Sequence, residues 1–251
     1  MALTRKFLWI VNMSTDGAEK QFSKHALAID ATGVCIRTSS TRLPDTIKRF
    51  HDLGIKVYAW RWPPSSNAGA MKEADKVASN LIPAGLDGYI VDPESDKKGA
   101  SNDWNQASLA PLAARFCKTI NDAAPRSFIF GTTSGCAYPT QKPNIPWNEF
   151  VTASEVLLPQ TYWRWTNPTT GQRGQKINGG TPAAAIAKGV PAWEAKGLGK
   201  LILPMAGEVD VIKDDEIADY GVELQKMNVK EGHFYADGDI PVVNLAAMKA
   251  L

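Results

Sequence analysis

Gly88-Tyr89-Ile90-Val91-Asp92-Pro93-Glu94 is a short apolar run that ends abruptly in two carboxylates. Tyr89, Ile90 and Val91 have the unbroken hydrophobicity of a strand covered on both faces, as in a parallel sheet between layers of helix. Side chains alternate along a strand, so an extended backbone through Pro93 sends Asp92 and Glu94 to the same side, about 6–7 Å apart along the chain. Pro93 fixes its own φ and biases Asp92 toward the extended region, which favours that geometry over a helical turn. The stretch reads as a buried strand running into a site where two carboxylates share one cavity.

Outward from this stretch the same pattern repeats. Apolar runs at 7–13, 33–37, 55–60, 127–131, 155–162, 201–205 and 232–236 predict further strands. Helical spacing predicts helices over 18–29, 43–54, 68–82, 109–120, 147–151, 182–196, 214–227 and 244–251. Pro44 and Pro182 suit first helical positions, Gly54 suits a helix end, and Pro83 stops the third helix. Polar loops are expected at 95–105, 132–146 and 163–181, the last two long enough to wall a groove. Eight strand–helix units without a composition break or Ser/Gly linker predict an α/β chain, a single (β/α)8 TIM barrel over 1–251. A doubly wound open sheet is the competing architecture, but no GxGxxG follows the first strand.

Composition narrows the function classes. With 251 residues, 44% hydrophobic and 22% charged, the chain has material for a large core and is not disordered. Its net charge of +2 includes no basic block, so neither nucleic acid nor an anionic membrane is an expected partner. Cys35, Cys117 and Cys136 lack CxxC spacing, which argues against a disulfide framework or a zinc site and for buried free thiols. The first residues run straight into a strand, with no signal-peptide pattern, and no run of about 20 apolar residues exists to span a membrane. A cytoplasmic location where the protein is made is expected; release by lysis or a dedicated machine would leave no mark. The oligomeric state is left open.

In a barrel the working face lies at the carboxyl ends of the strands. Polar and aromatic residues expected there are Asn12, Arg37, Trp60, Arg61, Trp62, Asp92, Glu94, Thr132, Thr133, Gln160, Tyr162, Trp163, Glu208, Asp210 and Asp237. No lysine or histidine stands at a strand end, which disfavours Schiff-base and zinc chemistry; His25, His51 and His233 read as structural. Acidic residues after strands seven and eight would repel a phosphate substrate. Paired carboxylates among tryptophans and tyrosines are what glycoside hydrolysis needs: a protonated carboxyl for the leaving oxygen, an anionic partner for the oxocarbenium-like centre, and flat rings for sugars to stack on. Glu94 is the better acid, because the adjacent Asp92 anion and a partly apolar site would raise its pKa. The competing structural role for the two carboxylates is ion pairing with Arg37 or Arg61. No cofactor or metal is required. Trp9 reads as core, and Trp60, Trp62, Trp163 and Trp165 as strand-end or loop rings able to meet a ligand.

At Asp92-Pro93-Glu94 the sequence resembles the muramidase-type lysozymes of glycoside hydrolase family 25 and a shortened form of the family 18 chitinase pattern. The resemblance implies a general-acid role for Glu94 and an orienting or electrostatic role for Asp92. Gln160-Thr161-Tyr162 is similar to the chitinase Met-x-Tyr segment, which implies that Tyr162 helps hold a substrate acetamido group acting as nucleophile. Asn12 stands where the lysozymes carry an aspartate; its amide can hydrogen-bond a hydroxyl but supplies no charge. The expected function is a glycoside hydrolase acting on an N-acetylated polysaccharide, peptidoglycan or chitin-like, with Glu94, Asp92 and Tyr162 catalytic. Asn12, Arg37, Trp60, Arg61, Gln160, Trp163, Glu208 and Asp237 are expected to contact substrate. The alternatives are a carbohydrate-binding or structural barrel without activity, and a metal-assisted hydrolase or lyase.

Overall fold

The computed structural model describes residues 2–95 and 99–251, so part of the loop expected at 95–105 lies outside the described residues. The first half of the chain alternates strictly: β1 (Arg5–Ile10), α1 (Asp16–Ala28), β2 (Gly33–Arg37), α2 (Leu43–Asp52), β3 (Lys56–Arg61), α3 (Asn67–Lys76) and β4 (Gly88–Val91). It continues with α4 (Ala110–Ala123), β5 (Ile129–Gly135), α5 (Tyr138–Gln141), α6 (Trp147–Ala153) and β6 (Val156–Gln160). A hairpin of β7 (Arg164–Trp165) and β8 (Gln175–Lys176) precedes α7 (Pro182–Glu194), β9 (Leu201–Ile202), β10 (Met205–Gly207), α8 (Asp214–Lys226), β11 (Glu231–Tyr235) and α9 (Val242–Ala250).

Local chemistry accounts for these elements. The side chains of Thr15, Ser66 and Thr181 accept hydrogen bonds from the backbone N–H three residues on, capping α1, α3 and α7. Gly54 takes a φ of +74° just past α2. Leu112, Phe116 and Ile120 form the buried stripe of α4, and Leu43, Ile47 and Phe50 that of α2. The third helix loosens into a π-turn over Val77–Leu81 before Pro83.

Among the described residues nine strands form one parallel sheet in the order β10-β11-β1-β2-β3-β4-β5-β6-β9. The sheet is strongly curled. Tyr162 follows β6 near one edge and Tyr235 closes β11 near the other, yet their rings stack with centroids 5.4 Å apart. Leu203 N–H donates to Leu157 O at 2.8 Å, and Thr161 Oγ1 to Met205 O at 2.9 Å, joining β6 to the segment that carries β9 and β10. On the concave side Phe7 meets Tyr58 and His233, at 4.9 and 4.8 Å between centroids, and Trp9 meets Trp60 at 5.7 Å. Helices α1 and α2 pack on the convex side through Phe22 and Phe50.

Three expectations are corrected. The strand expected at 127–131 begins and ends later, so Thr132 and Thr133 lie inside β5; Thr133 Oγ1 donates to Leu158 O at 2.6 Å instead of facing the strand end. The strand expected at 201–205 divides into β9 and β10 around Leu203 and Pro204, where proline removes a ladder donor. The loops expected at 132–146 and 163–181 contain α5 and the β7–β8 hairpin. No helix among the described residues is long and apolar enough to cross a membrane.

Candidate active site

The Asp-Pro-Glu stretch is tied down at three successive backbone positions. Asp92 N–H donates to Arg61 O on β3 at 2.8 Å, Ser134 Oγ on β5 donates to Pro93 O at 2.8 Å, and Trp104 N–H donates to Glu94 O at 2.9 Å. Trp104 is fixed in turn by its Nε1, which donates to Pro63 O at 2.8 Å. Both carboxylates line a cavity of about 690 Å³ on the concave side of the sheet. Gln160, Tyr162, Glu208 and Tyr235 line it too, with an aromatic wall of Trp9, Trp60, Trp62, Tyr138 and Trp165.

Gln160 Nε2 donates to both oxygens of the buried Asp92, at 3.2 and 3.3 Å, which holds the carboxylate toward the cavity. Tyr162 and Tyr235 stack nearly parallel, at 12°. Glycine at 207 makes room for the pair: a Cβ there would sit 2.6 Å from the Tyr162 ring. Glu208 Oε2 accepts from Thr166 N–H at 2.9 Å and so fastens the hairpin to the end of β10.

The electrostatics keep both tyrosines protonated. Burial first, and then Tyr235 and the carboxylates of Asp92, Glu208 and Glu94, hold the Tyr162 hydroxyl well above the usual phenol range. Burial and the same three carboxylates raise Tyr235, while Arg37 opposes them. The two hydroxyls therefore remain hydrogen-bond donors throughout the neutral and acid range. Among the described residues no group of three or more His, Cys, Asp and Glu side chains is arranged to hold a metal ion.

The expected site residues divide. Asp92, Glu94, Tyr162, Trp60, Gln160 and Glu208 come together around the cavity. Arg37 stands at its edge, with Cζ 4.9 Å from the centre of the Trp62 ring. Arg61 points away from it, into a separate depression lined by Lys72, Glu73, Asp75 and Lys76, because it alternates with Trp60 and Trp62 along the strand. Trp163 is likewise turned out by alternation with Tyr162: fully buried, it packs 5.9 Å from Tyr220 and donates to Glu216 at 3.1 Å. Asp237 is engaged by His25, at 2.6 Å, and Asn12 is exposed; neither lines the cavity. Among the described residues no ion pair joins Asp92 or Glu94 to Arg37 or Arg61.

Several cavity residues are missing from the sequence-based set. Trp9, expected as core, is buried but faces the cavity, and its Nε1 donates to His233 Nδ1 at 3.0 Å. Tyr235 carries the signal most plainly, being two residues beyond the inward His233 on the same strand. Met205 and Asn178 are brought in by tertiary structure, and Asn178 is set by its Nδ2, which donates to Tyr162 O at 2.9 Å; Trp165, expected as a ring able to meet a ligand, lines the cavity too.

No protein-family model matches the chain, and no curated protein matches it in sequence. Solved structures do. A chitinase from Chromobacterium violaceum ATCC 12472 superposes with a TM-score of 0.67 at 10% identity, over 99% of this chain and 98% of that one. A glycoside hydrolase family 18 N-acetylglucosaminidase from Paenibacillus barengoltzii gives 0.66 at 11% identity, over 98% and 99%. The spore cortex-lytic enzyme SleL from Bacillus cereus gives 0.66 at 9% identity, over 98% of this chain and 74% of that one. The fold is similar to that of family 18 glycoside hydrolases. At these identities the likeness is one of fold, and function has to be argued from the site.

Proposed function

We propose that the protein is a glycoside hydrolase of N-acetylated polysaccharides, built as one (β/α)8 barrel domain over 1–251 whose seventh strand is broken into β9 and β10. The observation that carries the reading is the meeting of Asp92, Glu94, Gln160 and Tyr162 around one aromatic-walled cavity. Glu94 protonates the glycosidic oxygen as the C–O bond breaks. The substrate's own acetamido oxygen attacks the anomeric carbon, so the enzyme supplies no nucleophile. Tyr162, held protonated by burial, donates to that acetamido group. Asp92, positioned by Gln160, stabilises the positive charge that develops as the amide attacks. Water then opens the cyclic intermediate, with the Glu94 carboxylate taking its proton. Trp60, Trp62 and Tyr235 offer faces for sugar rings.

The test is release of reducing ends from chitin oligomers and from peptidoglycan, with a chelator control. Glu94→Gln is expected to lower turnover about 10²–10⁴-fold while binding is kept. Unchanged turnover in that variant removes Glu94 from the mechanism. Binding without cleavage by the wild-type protein turns the assignment to a carbohydrate-binding module, and chelator-sensitive cleavage turns it to metal-assisted hydrolysis.

A further inference from the structure

Arg37 ends β2 and Arg61 ends β3, and both guanidiniums lie against one indole: their Cζ atoms are 4.9 and 5.6 Å from the centre of the Trp62 ring. Arg5, Arg42, Arg49, Arg164 and Arg173 each pair with a carboxylate, but among the described residues Arg37 and Arg61 do not. Among the described residues Arg37 Nε is moreover buried without a hydrogen-bond partner. Burying a guanidinium N–H unsatisfied, beside a second like charge, is unfavourable, and an anion arriving from outside would relieve both costs. Burial, then Arg61, already lowers the affinity of Arg37 for its proton.

The position says which anion fits. Trp62 lines the cavity that holds Asp92 and Glu94, and its ring is 5.2 Å from Trp60, which is itself 5.9 Å from Tyr235. An aromatic path thus runs from the carboxylates to Arg37. A free anion at the carboxylate end would be repelled by Asp92, Glu94 and Glu208, whereas one at the Trp62 end meets the Arg37 guanidinium, which has no carboxylate partner among the described residues. A guanidinium whose plane is set by an aromatic face presents parallel N–H donors that match a carboxylate.

We propose that Arg37, seated on Trp62 and reinforced by Arg61, is a subsite for a carboxylate carried on the glycan, so that the preferred substrate is an acidic N-acetylated polysaccharide and not neutral chitin. The inference rests on the glycan reading above and names its substrate class. The carboxylate has two possible sources, a lactyl ether on the sugar or a uronic acid, and the recognition chemistry is the same for both.

Calorimetric titration tests it without turnover, using the full chain carrying Glu94→Gln. The ligands are N-acetylglucosaminyl-N-acetylmuramic acid and a hyaluronan tetrasaccharide, each compared with its methyl ester. At least one acid is expected to bind about tenfold or more tighter than its ester, the range of a charge-assisted hydrogen bond. Which acid does so identifies the source. Adding Arg37→Ala is expected to bring the acid-to-ester ratio close to one, and Arg37→Lys to restore part of it; circular dichroism checks the fold, and Arg37→Gln replaces the alanine variant if that one unfolds. Equal binding of acids and esters, or a preference that survives Arg37→Ala, overturns the subsite alone. Absence of binding by all four sugars overturns the glycan reading beneath it.

Discussion

Replacing Gly207 by alanine probes the stacked tyrosines at the floor of the cavity without touching a polar group. An alanine Cβ at 207 would lie 2.6 Å from Cδ1 and Cε1 of Tyr162 and 3.0 Å from Cγ, well inside contact distance. The ring cannot retreat freely, because Tyr235 stacks with it at 5.4 Å between centroids. An added methyl in a packed site costs about 1–3 kcal/mol. For a chain of this size about 2 kcal/mol lowers the unfolding midpoint by about 4–8 °C. A shift of about 1 Å in a group that holds substrate lowers turnover by about 10²-fold. Scanning calorimetry and reducing-end release measure the two effects, and a double-mutant cycle identifies their origin. In a Tyr162→Ala background the ring is gone, so Gly207→Ala should be nearly silent, with a coupling above about 1 kcal/mol. An equal drop in midpoint in both backgrounds refutes the clash as the cause, and turnover unaffected by Gly207→Ala refutes the positioning role of Tyr162.

Glu216 accepts from Arg164 Nε at 2.8 Å, from Lys213 N–H at 3.1 Å and from Trp163 Nε1 at 3.1 Å. Burial raises its pKa, but these bonds, Arg164 foremost, outweigh it and leave the carboxyl below its usual value. Glu216→Gln should therefore lower stability by about 1.5–3 kcal/mol at neutral pH. The wild-type advantage is fully present above the ordinary pKa of about 4.3 and fades as pH falls through the lower folded value. Urea titrations at neutral and strongly acid pH compare the two proteins, and a gap that stays constant between them counts against the network. The three thiols make a separate test. Burial pushes Cys136 up to about 11 and raises Cys35 and Cys117 as well. All three should resist a disulfide exchange reagent at pH 8 until denaturant is added, and rapid labelling of the folded protein would contradict their placement.

The strands were legible because each is a brief apolar run with a polar end, and the helices because their stripes and caps are local. The β7–β8 hairpin was not: two-residue strands such as Arg164–Trp165 and Gln175–Lys176 carry no measurable period. The engagement of Asp237 by His25 joins residues far apart in the chain, and nothing near either one announces it. Among strand-end residues chemical type proved a weaker guide than parity. Trp60 and Trp62 line the cavity while Arg61 does not, and Asp92 and Glu94 do so while Pro93 does not. Gln160 and Tyr162 line it and Thr161 and Trp163 are turned away; Tyr235 lines it and Phe234 is packed behind. The alternation that joins Asp92 to Glu94 holds at the other strand ends as well, where it turns Trp163 away from the site and brings Tyr235 into it. Arg37 obeys the same rule, being in register with the inward Trp60 on the neighbouring strand. That register, together with a buried Nε that has no partner among the described residues, sets Arg37 apart from Arg61: Arg37 lies on the same face as Trp60, at the edge of the cavity, while Arg61 reaches the shared indole from the outer side of its strand and can only reinforce what Arg37 binds.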